Sequence, residues 1–133
     1  MSPDNVEIVR RSTEAYSRGA LDEALASWTT DAVLDWSNSR GLEPVVVRGR
    51  DEIRSYMERF REAFEEVRIE LEDIFEAEEG VVIAENLAYL RGRDGIEVTA
   101  RSAWLITLQD GCQTSLTLYQ SKAEALKSAG LSE

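Results

Sequence analysis

The chain is expected to fold as an α+β domain in which a curved antiparallel sheet wraps over N-terminal helices. Three observations predict this. A clear helical pattern opening at Gly49 is followed by four long strand-patterned segments, Val67 to Phe75, Val81 to Arg91, Ile96 to Leu108 and Gln113 to Tyr119. Glycine turns at Glu79-Gly80, Asp94-Gly95 and Asp110-Gly111 separate those strands, and Asp-Gly supplies the positive backbone angles that a tight hairpin needs. Helix-patterned segments stand at the front of the chain, and a short one closes it.

Each element has its own signal. Ser2-Pro3 reads as a helix start, after which Val6, Val9, Thr13 and Tyr16 share one face and Gly19 ends the helix. Leu21, Ala24, Leu25 and Trp28 sit at helical spacing in a second, shorter helix. The segment from Asp31 to Trp36 reads as a short strand, followed by a loop from Ser37 to Gly41 and an apolar stretch at Val45, Val46 and Val47. In the third helix Asp51 and Glu52 fall in the first turn, where they complement the helix dipole, and Ile53, Tyr56, Met57, Phe60 and Phe64 form the inner face. Ser121-Lys-Ala-Glu124 fits a capping box for a last helix that stops at Gly130.

A chain of 133 residues is expected to form one domain, 1–133. The 26 acidic residues against 15 basic ones leave a net charge of −11, which works against a phosphate backbone or an anionic membrane surface. Neither nucleic acid nor a membrane is therefore an expected partner. Cys112 stands alone, so it forms no internal disulfide, and a reducing, cytoplasmic compartment is expected. The start, Met1-Ser2-Pro3-Asp4, lacks a basic-then-apolar signal pattern. With no histidine and no close cysteine set, no metal or cofactor is expected.

Five short motifs occur in order: Ser17-Arg-Gly-Ala-Leu-Asp22, Asp31-Ala-Val-Leu-Asp-Trp36, Gly49-Arg-Asp-Glu-Ile53, Leu108-Gln-Asp-Gly111 and Ala123-Glu-Ala-Leu126. Through them nearly the whole chain resembles the SnoaL-like branch of the nuclear transport factor 2 (NTF2-like) superfamily. The resemblance implies a cone-shaped, cystatin-like fold with a deep apolar pocket and a homodimer formed through the outer face of the sheet. The family's activities include ketosteroid isomerisation, epoxide hydrolysis and polyketide cyclisation, beside members that only bind or assemble, so chemistry has to be argued from the residues of the pocket.

Matched to the isomerase branch, the resemblance puts the catalytic base at Trp36 and the oxygen-stabilising pair at Ser12 and Trp104. Asp35 is one residue from the base position, which on a strand means the opposite face. Matched to the epoxide-hydrolase branch, its arginine and two carboxylates fall at Asn86, Ala88 and Leu118, and its water-holding pair at Leu34 and Trp36. The cyclase branch relies on histidine and aspartate, yet there is no histidine and no carboxylate between Gln113 and Tyr119. All three standard mechanisms are disfavoured.

The expected cavity is lined by Leu34, Trp36, Asn86, Ala88, Ser102, Trp104 and Leu118, with Tyr16, Trp28 and Tyr56 entering from the helices. Alternation puts Val98, Ala100, Ser102, Trp104 and Ile106 on one face and Thr99, Arg101, Ala103, Leu105 and Thr107 on the other. Such a cup suits a small hydrophobic ligand, flat and held by one or two hydrogen bonds, unless Trp36 and Trp104 fill it themselves. On the outward phase Arg101 reads as a dimer or surface arginine, Tyr119 as an interface aromatic and Glu85 as solvated or interfacial. Arg91, Arg93 and Asp94 read as a solvated hairpin tip. Two functions follow: a binding or assembly module, or an enzyme on a small hydrophobic substrate with a nonstandard set such as Asp35, Asn86 and Tyr56. The second requires Asp35 to point inward.

Overall fold

The structure, a computed structural model, describes residues 4–38 and 45–130. The described elements are α1 (Asn5–Ser17), α2 (Leu21–Leu25), β1 (Trp28–Asp35), β2 (Val46–Arg48), α3 (Arg50–Glu62), β3 (Phe64–Glu78), β4 (Val81–Gly92), β5 (Glu97–Gln109), β6 (Cys112–Tyr119) and α4 (Lys122–Ser128). The six strands form one curved sheet in the order β2-β1-β6-β5-β4-β3. The expected α+β class and the sheet with helices before and after it are found. One pair departs from the antiparallel expectation, because β1 runs parallel to β6. Those strands are far apart in sequence, so no hairpin dictates their relative direction.

Two boundaries also differ from the sequence reading, and a third lies outside the described residues. Ser2-Pro3 lies outside the described residues; the first described helix is capped by Asp4, whose Oδ1 accepts from the Val6 amide at 3.0 Å. Trp28 opens β1, paired with Gln113, although its spacing from Leu21, Ala24 and Leu25 is helical. Phe64 opens β3, opposite Gly92. Its ring nevertheless stays 5.1 Å from that of Phe60, so the apolar spacing is kept although the backbone has left the helix.

The turns behave as their chemistry requires. Asp110 at φ 52° and Gly111 at φ 78° form the two-residue connection between paired Gln109 and Cys112, the twist that suits flanking strands. Ser121 caps α4 by accepting from the Glu124 amide at 3.2 Å, and Gly130 takes φ 79° just past its end.

The main core lies between the helices and one face of the sheet. Val9, Ile53, Val82, Ala84, Ile106 and Leu116 belong to it, all nearly free of solvent. The other face carries a smaller cluster in which Ala125 and Leu126 of α4 cover Ile83 and Ala103. Tyr119 packs against this second cluster, and its hydroxyl meets that of Ser128. α4 of the same chain thus folds back over Tyr119, which stays half-buried. Arg101, also on that face, makes a two-pronged bond to Glu72 of the neighbouring region at 2.9 and 3.1 Å.

Candidate functional site

Between the helices and the sheet lies a cavity of about 150 Å³. All nine residues expected from the sequence to meet a ligand border it. Leu34 and Trp36 come from the end of β1 and just beyond, Asn86 from β4, Ser102 and Trp104 from β5, and Leu118 from β6. Trp28 at the start of β1, Tyr16 of α1 and Tyr56 of α3 complete the set. Ala88 borders the cavity too.

Strand phase explains most of this arrangement. Asn86 pairs with Ser102, Ala84 with Trp104, and Trp104 with Leu118, so side chains two apart along β4 and β5 face the same void. Trp36 does not fill the void, because its ring is held edge-on by Tyr56 at 5.8 Å and Phe60 at 5.6 Å. Trp104 forms wall in the same way, 8% exposed within the main core. Val98 shares their phase yet is 50% exposed, and it lies outside the cavity wall.

The cavity has a closed and an open end. Ala24, Trp28, Gln113 and Leu116 are buried at one end, whereas Ala100 and Arg101 at the other are exposed. Gln120 also borders the cavity and donates to the Asn38 carbonyl at 2.6 Å, while Asn38 donates to the Leu118 carbonyl at 3.2 Å.

The polar groups on the wall are largely engaged with one another. Asn86, 1% exposed, donates to the Ala84 carbonyl at 3.1 Å and accepts from the Ser102 hydroxyl at 3.3 Å. Ser12 donates to the Ala24 carbonyl at 2.7 Å and accepts from the Trp28 indole at 3.3 Å. Its proton is therefore committed, and it does not serve as a free donor for a developing oxyanion. The Trp36 indole nitrogen is sealed from solvent with no hydrogen-bond partner among the described residues. Burial pushes the Tyr16 phenol up to about 12, against the lowering effect of Arg61, so it is a neutral donor at physiological pH.

Asp35 is not part of the wall. Its Oδ1 accepts from the Ser37 amide at 3.0 Å and the Ser37 hydroxyl at 2.6 Å, making a local turn. The enzyme reading built on an inward Asp35 is overturned by that placement. Among the described residues bordering the cavity there is no carboxylate, lysine, histidine or cysteine. Among the described residues there is also no group of three or more His, Cys, Asp or Glu side chains that could hold a metal ion.

Sequence reasoning missed Gln113. Stepping back by twos from inward Leu118 and Leu116 reaches Thr114 and leaves Gln113 outward. The pairs Thr107↔Ser115 and Leu108↔Gln113 instead place an extra residue, Thr114, on β6. That bulge turns Gln113 toward the core face, where it is 1% exposed and borders the cavity. Met57 and Phe60 also line it; their inner-face spacing on α3 was the signal.

Residues 9–114 match the SnoaL-like domain. The chain belongs to the SnoaL-like family. No curated protein matches this SnoaL-like chain in sequence. Its fold is that of a Catenulispora acidiphila protein with a ketosteroid isomerase-like fold, solved with trimethylamine: 18% identity, TM-score 0.76, covering 98% of this chain and 95% of that one. An NTF2-like protein of unknown function from Burkholderia pseudomallei is 20% identical at a TM-score of 0.75, with 92% and 95% covered. A Mycobacterium tuberculosis protein solved with estradiol-17beta-hemisuccinate is 14% identical at a TM-score of 0.74, with 92% and 96% covered. These likenesses establish the SnoaL-like, NTF2-like fold and leave the activity to the site. No helix among the described residues is long and apolar enough to cross a membrane.

Proposed function

We propose that this SnoaL-like protein binds one small hydrophobic molecule in its cavity and performs no acid–base chemistry on it. The observation that carries the reading is the wall itself: apart from Arg101 at the open end, which is bonded to Glu72, apolar side chains and neutral polar ones surround the void, and no described bordering residue is a carboxylate or histidine. Proton abstraction and water activation need such a group within hydrogen-bond reach. Trp36, Trp104, Leu34, Leu118 and Trp28 supply the apolar contact, and Asn86, Ser102, Tyr16 and Tyr56 the neutral polar contact. That two structurally similar proteins were solved with small molecules supports the same reading.

A void of about 150 Å³ matches a single ring, since a dry cavity of about that size holds one benzene. Calorimetric titration with toluene tests the role. Saturable binding to one site per chain is expected, and Ala88→Phe, which puts a ring into the void, abolishes it. A cavity that takes up neither toluene nor phenol saturably would sink the proposal. The reading includes a homodimer through the part of the outer sheet face that α4 leaves uncovered. Sedimentation at micromolar concentration tests it, and a clean monomer refutes it.

A further inference from the structure

The bulge at Thr114 is firmly built. The Thr114 and Thr107 hydroxyls meet at 2.6 Å, and Thr114 Oγ1 donates to the Thr107 carbonyl at 3.1 Å. Its effect is to bring a glutamine to the closed end of an apolar cavity. There Gln113 Nε2 donates to the Ser27 hydroxyl at 2.7 Å, and no described residue meets its Oε1. The residue is 1% exposed and borders the cavity.

The neighbouring polar groups have no such vacancy. Thr13 donates to the Val9 carbonyl at 2.9 Å, and Ser12 and the Trp28 indole are bonded as described. An amide head facing an apolar void is costly unless something meets it. Bulges recur where a side chain has to be re-aimed at a site.

We infer that Gln113 reads a hydroxyl on the ligand, and that the molecule this cavity takes is a single-ring apolar compound inserted hydroxyl-first. The inference rests on the binding role proposed above and names the ligand class for it. A hydroxyl suits the position because it donates to the amide oxygen and fits a site of this size, whereas a charged group would be left uncompensated at the buried end. The ring then lies between Trp36 and Trp104.

The test compares phenol with toluene by calorimetry in the wild type and in Gln113→Met, an apolar replacement of similar length. In a void with no acceptor toluene wins, because phenol gives up the hydration of its hydroxyl. Here phenol is expected to bind at least as tightly as toluene. In Gln113→Met the phenol-to-toluene affinity ratio is expected to fall about tenfold, the worth of one good hydrogen bond, with toluene affinity kept within about twofold. The Gln113 side-chain amide resonances give a second readout that needs no substitution: they move on saturation with phenol and far less with toluene. A wild-type preference for toluene of about tenfold or more, an unchanged ratio in Gln113→Met, or amide resonances indifferent to phenol would each overturn the assignment. Binding of neither probe is a different result, since it removes the binding role itself.

Discussion

The guanidinium of Arg61 stands 5.2 Å from the centre of the Tyr16 ring and donates to the Tyr16 carbonyl at 2.7 Å. One cation thus clamps both ends of a cavity-lining residue and joins the last turn of α3 to the last turn of α1. The clamp favours the ionised phenol, but burial disfavours it more and pushes the group up to about 12.

The first prediction concerns pH. In the unfolded chain Tyr16 loses its proton near pH 10, whereas the folded chain holds it to about 12. Above pH 10 the unfolded state is therefore the one that binds fewer protons. The stability contributed by neutral Tyr16 is fully present below pH 10 and is lost as pH rises to about 12, on the order of 3 kcal/mol. Ultraviolet tyrosinate titration checks it. The tyrosinate ionisation near pH 12 is expected to vanish in Tyr16→Phe.

Asp35 supplies the second. Because its carboxylate accepts from Ser37 and stays out of the cavity, Asp35→Ala is expected to leave toluene affinity unchanged. Stability should fall by about 0.5–1.5 kcal/mol for the lost turn bonds. A large loss of binding in that variant would return Asp35 to the site and with it the enzyme reading.

Those two residues illustrate how much of the site was legible in the sequence. The alternation through Ala100, Ser102, Trp104 and Ile106 assigns the β5 wall correctly because β5 pairs with β4 without a break from Glu97 to Thr107. The same logic fails on β6, where one extra residue, Thr114, inverts the phase and hides Gln113. Trp28 and Phe64 show a second limit. Each continues a helical spacing past the helix end, and periodicity alone does not mark where the backbone changes. The parallel β1–β6 pair carried no local signal, since no turn links its strands. Hairpins announce themselves through Asp-Gly; long-range pairings do not.

Gly80 gives a third prediction. It has φ 78°, and a Cβ there would stand 2.8 Å from the Leu108 carbonyl oxygen, on the backbone that donates back to Gly80 O at 2.8 Å. Gly95 has a similar φ of 86° with nothing within 4 Å. Gly95→Ala is expected to cost about 1 kcal/mol for the left-handed backbone alone. Gly80→Ala adds a backbone clash and should cost about 2 kcal/mol or more. Denaturant melts of the two variants check the order, and equal losses would mean that the β3–β4 turn can shift away from Leu108.

Asn86 separates structural from recognition roles at the same position. Its amide ties Ala84 and Ser102 together inside an apolar wall, and removing one member of a buried polar set costs more than removing the set. Asn86→Leu alone, which leaves Ser102 without its acceptor, is expected to lose about 1–3 kcal/mol. Adding Ser102→Ala to Asn86→Leu should recover part of that loss, because both polar partners are then gone. If the pair serves the fold alone, the recovered double variant binds toluene and phenol in the wild-type ratio, since their discrimination is assigned to Gln113. If the pair also meets the ligand, the ratio shifts although stability has returned. Thermal melts and the two titrations, run on the same three variants, decide between these outcomes.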